Sequence, residues 1–390
     1  MRIDLYGGFG EKGRTSFGVR ADRSLLFDAG IKVGAAGRDY YPTIGPEEIR
    51  ALDAVFISHA HEDHIGGLNW LLANGFAGTI HMTRETRDDA EAMLRQYAEA
   101  AHRTAFPLSA ARIAIFRAGD TIALGGMRIT SGRSGHVAGG VWFSVEAEGR
   151  RVVYCADVVP QSNVFVMDPI PACDLLAIDA SYGADAVSAA ERGRAIQQFI
   201  VAHAGGCLLP VPLSGKPLEL MAILPAHFAI HASMRASLAG QIEVPDAVSP
   251  SMAEHLRRQL AGAIDWHEDA PFPDCPLLTH DGMGSAGPSV QALRRASEQD
   301  LPVLLTGHVP DNTPASAMVR TGQATWIRLP THPTRDQNVR LWEKAGRPDL
   351  VGHSCGLKDL DELKPFMPRL RTGTVSGTHF EIQSVSSKSA

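Results

Sequence analysis

An α/β fold in two parts is what this sequence predicts: a strand-rich layered domain interrupted by a second domain built on a parallel sheet. Three observations carry that expectation. Short apolar runs separated by turns fill the chain as far as Asp179, alternating helix and strand patterns follow it, and the 390 residues have ordinary globular composition, 44% hydrophobic and 21% charged. At roughly 100 to 200 residues per domain, such a length allows two or three domains.

In the first part, strands are expected at 2–6, 16–20, 25–28, 54–58, 113–116, 127–130, 141–145, 152–156 and 175–179, several with period-2 alternation. Glu148-Gly149-Arg150 joins two of them as a hairpin. Between 84 and 101, Ala90, Met93, Leu94, Tyr97 and Ala101 recur at helical spacing and predict a long amphipathic helix. Past Asp179 the pattern gives a helix at 188–203, a strand at 207–211, a helix at 218–228, and strands at 276–279 and 303–306 around another helix. The polar stretch 240–273 is weakly patterned, and the Ser-rich 384–389 reads as a frayed end. The expected domains are 1–184, 185–328 inserted into it, and 329–390 returning to the first.

Composition excludes several classes. No run approaches the ~18 apolar residues of a membrane span, and Met1-Arg2-Ile3-Asp4 opens directly into strand-like sequence, so a cytoplasmic protein without membrane contact is expected. Five scattered cysteines without a Cys-x-x-Cys pair suggest reduced thiols rather than a disulfide framework or a thiolate zinc site. Thirty-seven basic against 43 acidic residues give a charge of −6, not the field of a protein that grips nucleic acid by overall charge, so a polyanion would need a local basic groove or bound cations.

The 16 histidines are the informative excess. In Ser58-His59-Ala60-His61-Glu62-Asp63-His64-Ile65-Gly66-Gly67, a strand ends and a helix starts near Ile65. Imidazoles and a carboxylate are thus concentrated at a strand's carboxyl end, a rigid place from which ligands converge on a metal ion. His227 and His231, four apart on an expected helix, lack the intervening Glu of a metalloprotease motif and read as surface or interdomain residues. His81, His102, His203, His255, His267, His280 and His379 show no ligand spacing and are assigned structural roles.

His59-x-His61-x-Asp63-His64 resembles the signature of the metallo-β-lactamase superfamily, with a later His136 in Ser134-Gly135-His136 and Asp157 after an apolar strand. The second half is similar to the β-CASP branch, which includes ribonuclease J and RNA cleavage factors: Asp179 in Leu175–Asp179, Gly215-Lys216-Pro217-Leu218-Glu219, the turns at 279–287 and 304–313, and the terminal His332 and His353. Lys216 stands where the branch usually has Arg, and the contexts of His332 and His353 depart from its nucleases.

The resemblance implies an αββα sandwich with an inserted β-CASP domain and a dinuclear metal-dependent hydrolase. His59, His61 and His136 would hold one metal and Asp63, His64 and His353 the other, with Asp157 bridging. Two zinc ions suit the all-N/O donors, and manganese or iron also fits. His332, tuned by Asp179, would protonate the leaving group, while Lys216, His308 and Thr313 would contact an anionic substrate between the domains. Single-stranded RNA is the leading substrate, ahead of DNA. A small ester, lactone, lactam or phosphoester is the alternative, a binding scaffold without activity a third reading, and a homodimer is compatible with all of them.

Overall fold

In a computed structural model that describes residues 1–383, the chain divides into two compact units. One comprises Met1–Gln161, Met167–Ala186 and the chain from His332 on; the other comprises Ser162–Val166 and Val187–Thr331. The Ser-rich stretch 384–389 lies outside the described residues.

The first unit packs two sheets face to face. A seven-stranded sheet runs in the order Thr378–Glu381, Arg2–Gly7, Ser16–Arg20, Ser24–Phe27, Ala54–Phe56, Thr79–Thr83, Ile113–Phe116. A six-stranded sheet runs in the order Asp349–His353, Leu175–Asp179, Arg150–Tyr154, Val141–Ala147, Met127–Arg133, Thr121–Leu124. Period-2 alternation sorts the side chains into layers. Leu25 and Phe27 point into the core between the sheets with Phe17, Phe56, Phe143 and Tyr154, while Leu26 points to the other face. There Leu26, Val55 and Ile80 pack against Ile65, Leu68 and Leu71 and against Ala90, Met93 and Leu94 of helix Arg84–Tyr97. On the outer face of the second sheet, Val153, Leu176, Ile178 and Leu350 pack against helices Arg335–Lys344 and Leu357–Leu363. The result is an αββα sandwich.

The second unit is a parallel six-stranded sheet in the order Ile264–Trp266, Ala229–His231, Pro276–Thr279, Cys207–Pro210, Val303–Leu305, Ala324–Trp326. Helices such as Ala189–Ala202, Pro250–Gly262 and Ser289–Glu298 connect its strands. Ser188 caps the first by accepting a hydrogen bond from the Glu191 amide.

Several expectations need correction. The helix expected at 218–228 is the short Lys216–Met221, because Pro225 disfavours helix before it and the apolar run beyond it is buried as a strand. His231 therefore lies on a strand, and no helical face pairs it with His227. The helix expected at 84–101 breaks at an extended Ala98 and restarts as Ala100–Ala105. Strands Thr79–Thr83, Thr121–Leu124 and Asp349–His353 were not expected, and 240–273 contains helix Pro250–Gly262 and strand Ile264–Trp266. All five cysteines are unbridged, and no helix among the described residues is long and apolar enough to cross a membrane.

One loop of the first unit fixes the backbone beneath the histidine motif. After strand Ser24–Phe27, Ala29 N–H donates to His64 O at 2.7 Å and Ile31 N–H to Glu62 O at 3.1 Å, while Thr15 N–H donates to Asp63 O at 2.8 Å. Gly30 lies within this lattice, and a Cβ there would fall 1.7 Å from Asp63 O and 2.8 Å from Thr15 N. Gly30→Ala should therefore lower stability by at least the ~1–3 kcal/mol of an overpacked core, read as a reduced urea midpoint. An unchanged midpoint would show that the loop can move away from the motif.

Candidate metal centre

The motif residues leave strand Ala54–Phe56 at its carboxyl end, and His61 takes the position before the short helix Glu62–Ile65. His136 arrives from the loop after Met127–Arg133, and Asp157 from the segment after Arg150–Tyr154, where Ala156 has φ 49°. Asp179 ends strand Leu175–Asp179 and pairs in register with His353 at the end of Asp349–His353. His332 opens the return of the chain to this unit.

These elements bring two overlapping groups together. His59 Nε2 lies 3.1 Å and His136 Nε2 3.2 Å from His61 Nδ1. Asp157 Oδ2 lies 3.8 Å from His59 Nε2 and 3.6 Å from His136 Nε2, so one atom from each of the four residues falls within 4.8 Å of the others. Tetrahedral zinc with Zn–N bonds of ~2.0–2.1 Å holds its ligands at about this mutual spacing. The other Asp157 oxygen, Oδ1, is 3.3 Å from His64 Nε2, which is 3.7 Å from Asp63 Oδ2. His64 Nε2, Asp157 Oδ1 and His353 Nε2 are buried atoms with no hydrogen-bond partner. Orphaned polar atoms of this kind are costly in a folded protein unless something else satisfies them, and a cation does.

A residue not singled out in the sequence sets these orientations. Asp28, fully buried at φ 60°, accepts from the Ser58 amide at 2.7 Å through Oδ1. Its Oδ2 accepts from the Ser58 hydroxyl, the Tyr154 hydroxyl and His64 Nδ1, each at 2.7 Å. One proton of His64 is thereby held on Nδ1, and Nε2 faces Asp157. With its hydrogen given to Asp28, the Ser58 oxygen accepts from His59 Nδ1 at 3.0 Å, which leaves His59 Nε2 proton-free. The available signal was an Asp directly after an apolar strand, in Leu25-Leu26-Phe27-Asp28-Ala29-Gly30.

The electrostatics favour a cation. Burial alone would raise the Asp157 carboxyl, but the imidazoles of His64, His332 and His136 outweigh it and hold it well below the usual carboxylate range. Burial opposes charge on His64, yet Asp157, Asp63 and Asp28 outweigh it and raise that imidazole well above its ordinary value, so without metal Nε2 also holds a proton, and the Nε2 lone pair becomes available when a bound cation displaces that proton. Burial, with His64 and His61 alongside, pushes His59 down, and burial also lowers His353, so both rings stay neutral, the form that ligates metal.

Asp157 also belongs to a further group with Asp179 and His332, one atom of each falling within 4.8 Å of the others. His332 Nδ1 is 2.9 Å from Asp179 Oδ2 and 3.6 Å from Asp157 Oδ2. Asp179 is fixed on all sides: Oδ1 accepts from the Ser181 amide at 3.0 Å and hydroxyl at 2.6 Å, and Oδ2 from the Val158 amide at 3.2 Å. The edge of the Tyr182 ring packs against His332, with centroids 5.1 Å apart.

The residues expected to bind substrate lie in the second unit. Lys216 begins helix Lys216–Met221 and is buried, with Nζ donating to Thr306 O at 3.3 Å. His308 follows the same strand end. Thr313 caps helix Pro314–Arg320, where its hydroxyl accepts from the Ser316 amide at 3.2 Å and donates to Pro310 O at 2.7 Å.

Two sheets between helices, with a histidine and aspartate cluster at the strand ends, define a metallohydrolase-type sandwich, and the model of the metallo-β-lactamase superfamily matches residues 15–206. Residues 15–206 are thus similar to that superfamily, and the later motifs resemble its β-CASP branch. It is 26% identical over 336 residues to cleavage and polyadenylation specificity factor 73 of Drosophila melanogaster, an alignment covering 76% of this chain and 49% of that protein. It is 25% identical over 378 residues to transcription termination factor FttA of Methanocaldococcus jannaschii, covering 85% and 59%. A ribonuclease of Thermus thermophilus matches at 28% over 193 residues, 47% of this chain and 44% of the relative. The chain thus spans about half the length of these curated relatives. A solved structure of a protein of unknown function from Enterococcus faecalis V583 shares the fold, with TM-score 0.61 and 13% identity over 97% of this chain and 99% of that one. The superfamily match and the donor set together support divalent-metal use.

Proposed function

We propose that the protein is a dinuclear metal-dependent phosphodiesterase that cleaves single-stranded RNA. The observation that carries this reading is the convergence of His59, His61, His136 and Asp157 on one point, with His64 Nε2 at the other oxygen of the same carboxylate and buried, unpartnered polar atoms on His64, His353 and Asp157. His59, His61 and His136 would hold one ion and Asp63, His64 and His353 the second, with Asp157 available to both. The donor set suits zinc and accommodates manganese or iron. When bound, two such ions lower the pKa of water and neutralise charge on a phosphodiester. That local positive charge answers the chain's formal −6. Relatives named as ribonuclease and endoribonuclease support RNA as the substrate.

The chain's own residues supply the rest. Asp179 orients His332 through Nδ1, and a carboxylate neighbour favours the protonated imidazole, so His332 serves as the general acid for the departing oxygen. Lys216, His308 and Thr313 of the second unit are the residues proposed to contact the substrate's phosphates, Thr313 from a hydroxyl that also caps helix Pro314–Arg320. His332→Ala should cut turnover on RNA by ~10²–10⁴-fold while leaving the bound metal unchanged. The loss should be smaller on bis(p-nitrophenyl) phosphate, whose leaving group needs no proton. Full turnover on RNA in that variant would remove His332 from the mechanism.

The direct test is cleavage of end-labelled single-stranded RNA and DNA with zinc or manganese added, beside a His59→Ala/His61→Ala control. Cleavage lost in the control supports the nuclease reading, and the product ladder separates trimming from internal cutting. The net negative charge favours one other reading, a hydrolase of small esters, lactones, lactams or phosphoesters. Two bound metals with no cleavage of either polymer would transfer the assignment to it.

A further inference from the structure

The second unit carries a cluster of reactive side chains that the metal chemistry does not use. Because its sheet is parallel, the carboxyl ends of its strands share one edge, the edge at which such sheets bind ligands. Strand Ala229–His231 ends there in His231, and the turn after it presents Ser233, which is exposed. His280 follows Pro276–Thr279, and Glu268 follows Ile264–Trp266. Both histidines are more than nine-tenths buried.

Ser233 Oγ lies 2.7 Å from His231 Nδ1 and 3.0 Å from His280 Nε2. On the far side of its ring, His231 Nε2 lies 3.1 Å from Glu268 Oε2. That contact is not a well-aligned hydrogen bond at rest, a looseness common in ligand-free sites that tightens when substrate binds. The neighbouring groups place the protons. The Ser233 amide also donates to His231 Nδ1, at 3.3 Å, so Nδ1 is an acceptor and the ring proton sits on Nε2 facing Glu268. The Ser233 hydroxyl then donates to Nδ1, while His280 Nε2–H donates to Ser233 Oγ. His280 Nδ1 is left unprotonated, in keeping with its lack of any partner. Burial, with His231 beside it, pushes the His280 pKa down to about 4, so that ring is neutral at neutral pH. The contact with His231 in turn holds Glu268 below the usual carboxylate range.

A serine hydroxyl bonded to an imidazole that is itself oriented by a carboxylate is the arrangement that makes serine a nucleophile. Here the two ring nitrogens exchange their usual places, which alters the geometry of proton transfer but not its chemistry. We propose that Ser233, with His231 as base and Glu268 as orienting carboxylate, forms a second active site that hydrolyses small carboxylic esters independently of the metal centre. Ser233 Oγ attacks the carbonyl carbon, its proton passes to His231 Nδ1, and the bond to the alcohol oxygen breaks as that oxygen takes the proton. Water then attacks the acyl-serine, giving one proton to His231 and through it to Ser233. Ester and water become acid and alcohol, with no other reactant consumed.

The test uses the full chain after exhaustive chelation, so that the metal centre cannot contribute. A fluorophosphonate probe should add once, at Ser233 by peptide mapping, and p-nitrophenyl acetate should be hydrolysed. Both should be lost in Ser233→Ala, and ester turnover should fall ~10²–10⁴-fold in His231→Gln. Labelling should persist in His59→Ala/His61→Ala, and Glu268→Gln, at a half-exposed position, should slow labelling without shifting the melting temperature. An adduct mapped elsewhere, or equal ester turnover in wild type and Ser233→Ala, would overturn the proposal.

Discussion

Asp157→Asn will lower RNA cleavage by ~10³-fold or more, and the purified variant will carry fewer than two metal ions per chain by elemental analysis. Asp157 is the one side chain whose two oxygens serve both donor groups, Oδ2 toward His59 and His136 and Oδ1 toward His64. Asparagine removes the charge and turns one oxygen into an N–H donor that opposes a cation. The rate lost follows from the several kcal/mol that metal ions contribute to transition-state charge, at 1.36 kcal/mol for each factor of ten. If the variant kept two ions and full activity, the shared carboxylate would be a bystander and the dinuclear reading would fall.

The second large effect lies one layer away from the metal. Asp28→Asn keeps the size of the side chain but cannot accept from Ser58 N–H, Ser58 O–H, Tyr154 O–H and His64 Nδ1–H together. Metal affinity should drop ~10–100-fold, as it does when the group orienting a ligating histidine is lost. Asp28→Ala goes further: it strands every one of those buried donors and should cost ~3–5 kcal/mol of stability. Competition with a chromophoric chelator measures the first effect and urea unfolding the second. Wild-type affinity in Asp28→Asn would mean that His64 is oriented by something else.

Much of the candidate cluster was legible because its residues are crowded. His59, His61, Asp63 and His64 occupy six residues, and side chains so close in sequence at a strand end have few directions open to them. Asp28 was invisible for the opposite reason. A lone Asp after Phe27 looks like any loop residue, and its purpose exists only once Ser58, His64 and Tyr154 arrive from three other elements. His353 could be placed by resemblance, but the strand beneath it could not be read from periodicity. Asp349-Leu350-Val351-Gly352-His353 contains two residues that strands avoid. Gly352 is there because a Cβ would fall 2.5 Å from Leu360 and 3.1 Å from Ala180, a packing demand that no local pattern carries. Thr79–Thr83 escaped similarly, since its His81 reads as polar although its ring stacks on Phe56 at 4.5 Å. In the second unit, period and turn residues located three of the six strands, Cys207–Pro210, Pro276–Thr279 and Val303–Leu305, whereas the short strands Ala229–His231, Ile264–Trp266 and Ala324–Trp326 are too brief to show a period.

The pairing of Asp179 with His353 in adjacent parallel strands has a consequence for the order in which the protein comes into being. All of the second unit except Ser162–Val166 is translated between those two strands. Domains fold from the amino terminus as they emerge from the ribosome, so the cluster of His59, His61, His136 and Asp157 can assemble early. Asp179 at that stage has neither His332 beside it nor His353 alongside. On the proposed mechanism, the nascent protein would bind its first ion but lack the proton donor, and it would stay silent while still tethered to the messenger RNA being read. Closing so long an intervening loop costs little beyond a shorter one, ~0.6 kcal/mol per doubling, so the delay is gained at small thermodynamic expense.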